Sequence, residues 1–360
     1  MHLFGKEEVN TGRQFEFDMA KAVCIFGMIV VHCFEELATG TVKQDSTGYY
    51  IFVTVLDSIF GAGTFMISMG IGIAYNREMN ADTLIRRGAR IFLFGYILNF
   101  LRGALPSALV VLAGKWPWLK VWLYLFATDI MPFAGLALLL LGLLKKQKLS
   151  DGAIFLTALA MSAVGSFVRF IPIESPVGSE LLGILIGTLN AKTPDGMSCF
   201  PLLNWFIVVV IGYLYGKALR RCRDRERYYT LSFLLSGLIL AVYMAIAIPR
   251  RLGMMNEDIA YYYHFSAPNA LILFLGAIFA SGLYHFIARL LPERVKAVIT
   301  DMSRNLNRTY CLQWLLIGWM RSFLAFIGSA GLGNGAVAVA SLLIYLISTV
   351  LAKRFTLFSL

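Results

Sequence analysis

Apolar runs of about the length that crosses a bilayer recur along this chain from Phe17 to Ala352, and no long polar stretch separates them. They predict spans at 17–37, 50–75, 88–112, 122–144, 152–171, 200–216, 229–248, 267–288, 309–328 and 333–352. Arg102, Pro106 and the WPW of Trp116 to Trp118 interrupt the third and fourth, a pattern that fits a broken or interfacial helix. Leu181 to Leu189 is apolar but too short to cross, and fits a re-entrant segment. The expected fold is all-α: one polytopic integral-membrane domain over 1–360 with about ten transmembrane helices.

Composition agrees with the pattern. With 58% hydrophobic and 15% charged residues and a mean hydropathy of +0.71, the 360 residues carry more apolar surface than a soluble domain buries. The formal charge of +11 would suit nucleic acid, but the lysines and arginines sit in short clusters between apolar runs. There they report orientation, and no nucleic-acid partner is expected. Rich segments are the arm with Lys6, Arg13 and Lys21, then Arg77 to Arg90, Lys145 to Lys148, Lys217 to Arg227, Arg289 to Arg308, and the tail with Lys353 and Arg354. They alternate with poor loops, which puts both termini in the cytoplasm and supports an even number of spans.

Acidic and polar residues fill Glu7 to Asp18, so the N-terminus lacks the form of a cleaved signal peptide. The first span is expected to be retained, in a multi-pass protein of the cell membrane. Lipid is its first partner, and a homo-oligomer stays open.

Five cysteines, Cys24, Cys33, Cys199, Cys222 and Cys311, have no CxxC or metal-ligand spacing and read as packing residues. His32 with Glu35 and Glu36 on one helix turn is a weak metal signal, so no metal is expected and proton chemistry suits the cluster better. Gly61, Gly63, Gly70 and Gly72 read as close helix packing.

An ionisable side chain inside a span costs a few kcal/mol or more, so each is a functional candidate. His32, Asp57, Arg102, Asp129, Arg169 and Arg321 stand in or at the edges of predicted spans. Lys21 and His32 are 11 residues apart on the first, so they share one face about 16 Å apart. A long anionic cofactor could anchor near Lys21 and reach His32 with its reactive end. Histidine suits general-base work near neutral pH, and Glu35 and Glu36 at i+3 and i+4 could fix its tautomer. The bland alternative is a packed histidine bonded to a neighbouring carbonyl.

Arg87 and Arg90 at i and i+3 form a candidate phosphate clamp, set against plain positive-inside topology. Asp129 needs a partner such as Arg102 or His32, and is either an acceptor-binding or base-orienting group or a helix N-cap; Asp57 has the same choice. Arg169 and Arg321 stand where arginines snorkel to the outer interface.

These residues resemble the acyltransferase 3 group of the transmembrane acyltransferase superfamily, which includes the heparan-alpha-glucosaminide N-acetyltransferase type. KAVCIFGMIVVH matches the family's basic residue, ten residues, then His as Lys21 to His32, and Arg87 to Arg90 matches its RxxR motif. FGAGTFMISMGIGIAY, DIMPFAGLALLL and FPLLNWFIVVVIGYLYGK resemble further segments, so the likeness covers about 13–217. NRTYCLQWLL carries Gln313 where a late histidine is common in the family.

The resemblance implies transfer of an acyl group, acetyl by family habit, from cytoplasmic acyl-CoA to a hydroxyl or amino group of a glycan or small-molecule acceptor. By that reading His32, Glu36 and Asp129 are catalytic, Lys21, Arg87 and Arg90 hold the donor, and Asp57, Glu35 and Arg102 meet the acceptor. The competing reading is a proton-coupled transporter or flippase using His32 and the intramembrane acids as a relay. No fixed-period or inverted repeat supports it.

Overall fold

The structure, a computed structural model, describes residues 3–48, 52, 61–76, 78–171, 173–187, 199–255 and 260–354. Every regular element among them is helical. The chain runs through α1 (Phe15–Leu37), a short α2 (Gly40–Asp45) and α3 (Ala62–Tyr75). Next, α4 (Ala81–Asn99) continues through a π-helical turn (Phe100–Ala104) into α5 (Leu105–Leu112), followed by α6 (Trp118–Phe126), α7 (Ile130–Lys146), α8 (Asp151–Val168) and α9 (Pro176–Gly183). Then come α10 (Leu202–Arg220), α11 (Arg225–Arg250), α12 (Ala260–Tyr263), α13 (Asn269–Leu290), α14 (Glu293–Arg304), α15 (Leu306–Phe326) and α16 (Asn334–Arg354).

Eight segments among the described residues are long and apolar enough to cross a membrane: α1, α4 through α5, α6 through α7, α8, α10, α11, α13 and α16. At the two remaining predicted positions stand α3, with 14 described residues, and α15, whose 21 residues include Arg308, Gln313 and Arg321. The protein is an all-α polytopic membrane protein. Asp57 and Arg77 lie outside the described residues.

The third span is interrupted at the expected place, whereas the fourth is interrupted at a different one, since Trp116 and Pro117 precede α6 and Trp118 opens it. The third bends through the π-turn that carries Arg102, and the fourth breaks over 127–129 between α6 and α7. Side-chain caps start several helices: Asn80 accepts from the Thr83 amide, Ser150 from Ala153 and Asp224 from Arg227.

Lipid gives helices no hydrophobic reason to associate, so small residues that let backbones touch supply much of the packing. A methyl group at Gly88 of α4 would come within 2.6 Å of the Leu139 nitrogen on α7, and one at Gly135 within 2.5 Å of the Phe92 nitrogen. Gly70 of α3 and Gly212 of α10 meet the facing backbone in the same way. Gly72 differs, because nothing stands within 4 Å of a methyl placed there and it lines a cavity.

The segments rich in lysine and arginine gather at one end of the bundle. Lys146 pairs with Asp82 at 3.0 Å, Lys217 with Asp151, Arg225 with Glu16 at 2.8 Å, Arg289 with Glu226, and Lys353 with Asp301 at 2.7 Å. The N-terminal arm joins them, its Gly5 amide donating to the Arg221 carbonyl at 2.9 Å. Most of these side chains are partly exposed, so the pairs add little stability. Their meaning is positional. At the far end of α1, the Leu332 amide donates to the Leu37 carbonyl at 2.7 Å.

Candidate functional site

Among the cavities that the described residues enclose, two adjoin a shared hydrogen-bonded partition, one on each side. The larger, about 550 Å³, contains His32, Glu35 and Glu36 from α1, Arg102 from the π-turn, Asp129 at the start of α7, and Glu180 from α9. Trp314 and Arg321 of α15 complete it. Four of the residues singled out from sequence for chemistry at the acceptor side are thus joined by a fifth, Asp129, in one space.

Asp129 is tightly held. Its Oδ1 accepts from the Ile130 amide at 2.6 Å, which makes it the N-cap of α7. Its Oδ2 lies 2.7 Å from Arg102 Nη2 and accepts from the Tyr310 hydroxyl at 2.7 Å. Cap and buried ion pair are therefore one residue's two functions. Asn99 fixes the arginine from behind: its Oδ1 accepts from Arg102 Nε at 3.1 Å and Nη2 at 2.8 Å, while its amide donates to the Ala127 carbonyl at 2.7 Å. Asn99 thereby ties the break between α6 and α7 to the π-turn. Gly318 admits the Arg102 carbonyl against α15, where any side chain would collide with it. Arg102 Nη1 remains buried without a hydrogen-bond partner.

His32 stacks on Trp314 with ring centroids 4.2 Å apart, and the Arg102 guanidinium lies 3.9 Å from the centre of the same indole. The Gln313 side-chain amide is 3.3 Å from His32 Nδ1, and Gln313 itself is fully buried with Oε1 unpartnered. Glu36 pairs instead with Arg321 Nη1 at 2.7 Å, so the neighbour found at the His32 ring is a glutamine from α15 and not the expected i+4 carboxylate. Arg321 does not snorkel: its side chain is 11% exposed and its guanidinium sits 3.7 Å from the centre of the Tyr124 ring.

The smaller cavity, about 330 Å³, contains Lys21, Arg87, Arg304 and Asn307, with Tyr310 at its boundary. Among the described residues no carboxylate forms an ion pair with Lys21, Arg87 or Arg304, and Arg87 Nε is buried without a partner. Three such cations around one cavity leave its wall with an excess of positive charge. Arg90 is exposed and lines neither cavity. Arg304 of α14 stands where the RxxR reading expected it. Lys21 and His32 share α1 but open into different cavities, and the Tyr310–Asp129 hydrogen bond joins the two linings.

Tyr310, Gln313, Trp314 and Arg321 were missed as a group although their i, i+3, i+4 and i+11 spacing lays a polar stripe on one face of α15. Glu180 gave no periodic signal, because α9 has only eight residues. It is buried at 5% exposure, and its Oε2 accepts from the Thr128 amide at 3.1 Å. Burial pushes its carboxyl up to about 8, against the opposing pull of that backbone hydrogen bond.

Between the ordinary carboxyl value of 4.5 and about 8, the folded protein keeps a proton that the unfolded chain has shed. Stability from this group is therefore present at low pH and lost as pH rises toward about 8. Replacing Glu180 by Gln should leave the apparent melting temperature nearly unchanged at low pH and raise it near the upper end of that window. An equal shift at both ends would refute a buried, proton-holding Glu180.

Among the described residues no group of three His, Cys, Asp or Glu side chains could hold a metal ion, and none of the five cysteines is joined in a disulfide. Neither the curated proteins nor the solved structures contain a match to this chain. The sequence profile described as heparan-alpha-glucosaminide N-acetyltransferase, catalytic, matches residues 13–245, from the arm before α1 into α11. That stretch, well over half of the chain, supplies Lys21 and Arg87 to one cavity and His32, Glu36, Arg102, Asp129 and Glu180 to the other. The chain therefore belongs to the heparan-alpha-glucosaminide N-acetyltransferase catalytic family, a family of transmembrane acyltransferases.

Proposed function

We propose that this membrane acetyltransferase-type protein moves an acyl group, acetyl by family, from acyl-CoA at its basic, cytoplasmic end to a hydroxyl or amino group of a glycan or small-molecule acceptor on the outer side. One observation carries the reading: a cavity of unpaired cations and a cavity containing a histidine base meet across the Tyr310–Asp129 hydrogen bond. Both termini are cytoplasmic in this reading, because the lysine- and arginine-rich segments share one end.

Lys21, Arg87 and Arg304 suit the donor's phosphates, and Arg87 Nε is an orphaned donor of the kind an anion would satisfy. Acyl-CoA would supply a thioester carbonyl activated toward attack. The acceptor enters beside His32, Glu35 and Glu180. His32 takes the proton as the acceptor's oxygen or nitrogen bonds to the acyl carbon; the carbon–sulfur bond breaks, and the thiolate leaves to be protonated. Arg102 is fixed by Asp129 and Asn99, and its Nη1, a buried donor without a partner, would stabilise negative charge on the acyl oxygen. Glu36 holds Arg321, and Asp129 holds Arg102, so both acids act through an arginine.

A base needs a lone pair on one ring nitrogen and a held proton on the other. A half-turn of the Gln313 amide brings Oε1 to accept from Nδ1–H and leaves the His32 Nε2 free to accept. Replacing Gln313 by Leu should lower kcat about tenfold with KM for either substrate unchanged. A rise in KM at constant kcat would remove Gln313 from this role.

Purified protein given acyl-labelled CoA and soluble hydroxyl or amino acceptors should release free thiol and form labelled product. Absence of both, from a protein shown to be folded, would return the proton-relay transporter to first place.

A further inference from the structure

Beside the Lys21 cavity lies a second basic pocket that the transfer chemistry leaves unused. Its volume is about 310 Å³, and Lys145, Lys217, Arg220 and Tyr213 form its polar wall. Lys145 ends α7 and Lys217 lies near the end of α10, yet their ammonium groups converge on one aromatic ring, 5.2 Å and 5.6 Å from the centre of Tyr213. Lys217 pairs with Asp151 and Arg220 with Glu8, whereas among the described residues Lys145 has no carboxylate partner. Three cations face two carboxylates, which leaves one positive charge uncompensated.

Lysines at helix C-termini commonly offset the helix dipole and turn outward to water. Two that turn inward onto one ring repel each other, and an anion between them would remove that repulsion. The pocket also adjoins the Lys21 cavity, because Ile73, Asn76 and Met79 belong to the walls of both. A single ligand spanning them needs two separated phosphate groups. The nucleotide end of coenzyme A has this form, with a 5′-diphosphate and a phosphomonoester on the 3′ oxygen. Near neutral pH a phosphomonoester carries close to two negative charges, more than one lysine neutralises.

We propose that the Lys145–Lys217–Arg220 pocket binds the 3′-phosphomonoester of the donor nucleotide while Lys21, Arg87 and Arg304 hold its diphosphate. This rests on the acyl-CoA reading above and adds a specificity element to it. Donors lacking the 3′-phosphate lose the second anchor.

Calorimetric titration of the purified full-length protein with adenosine 3′,5′-bisphosphate and with adenosine 5′-phosphate tests the pocket without turnover. In Lys145→Gln the bisphosphate should bind about tenfold more weakly, the scale of one charge-assisted hydrogen bond, while the 5′-phosphate binds as in the parent. Lys145→Arg should recover most of the loss. Equal bisphosphate affinity in parent and Lys145→Gln overturns the proposal, as does an equal loss for both nucleotides.

A lipid phosphomonoester offers the same chemistry. If phosphatidic acid co-purifies less with Lys145→Gln while bisphosphate affinity is unchanged, the pocket belongs to lipid and the proposal falls. Thiol release from acyl-CoA is scored separately. A protein that binds the bisphosphate through Lys145 but transfers nothing keeps the pocket and loses the transfer reading.

Discussion

Replacing His32 by Gln should lower kcat for acyl transfer about 100-fold or more while KM for the acyl-CoA changes little. Glutamine fills much of the space against Trp314 and can still hydrogen-bond Gln313, so packing at the site survives while the proton acceptor is lost. General-base catalysis contributes about 100- to 10,000-fold, and that contribution appears in kcat when the base acts only as the acceptor attacks. Because Lys21 and Arg87 open into the other cavity, donor binding should not register the change. Steady-state kinetics on purified protein, with abundance and melting temperature as folding controls, read the result. A variant retaining more than about a tenth of the parent rate would remove His32 from the reaction.

The second large effect concerns stability. Arg102 and Asp129 are 9% and 13% exposed and 2.7 Å apart inside the bundle. Removing one partner of a buried pair leaves an uncompensated charge and costs about 3–5 kcal/mol. Arg102→Met and Asp129→Leu should each lower the apparent melting temperature sharply, and Asp129→Leu should lose the α7 cap as well. The double variant should melt above either single one, since two apolar residues leave no stranded charge, yet transfer nothing. Thermal unfolding in detergent distinguishes these cases. Single variants that melt like the parent would show that the pair is solvated.

Elements defined by composition could be read directly from the chain. Each apolar run has a helical counterpart, and the interruption at Arg102 corresponds to a π-turn, whereas Trp116 to Trp118 only leads into α6 and the break of the fourth span falls later, at 127–129. The Lys21–His32 spacing of close to three whole turns suggested one face and one ligand channel, whereas the two residues of α1 open into different cavities. Partners across helices were harder to see. Asp129 required a cation and Arg102 was one of two named, since few charges lie at that depth. By contrast, Gln313 is neutral and so makes no electrostatic demand that a sequence would reveal. Arg90 and Arg304 show the same limit from the other side: a basic cluster tells which end of a helix is cytoplasmic, but not which of its arginines turns inward. Arg321 was read as snorkelling because its partner Glu36 is 285 positions away in sequence.

The Tyr310–Asp129 partition also governs where charge moves. In the proposed reaction the acceptor's proton goes to His32 on one side, while the thiolate departs with the nucleotide on the other. If that proton crosses at the partition, a turnover is electrically silent. If it escapes outward, each turnover separates one charge across the bilayer, and the membrane potential shifts its free energy by about 2.3 kcal/mol per 100 mV. Rates measured in proteoliposomes under imposed voltage tell the two apart. A single tyrosine–carboxylate contact would thus decide whether the proposed acyl transfer is an ordinary group transfer or one that answers to the energised state of the membrane.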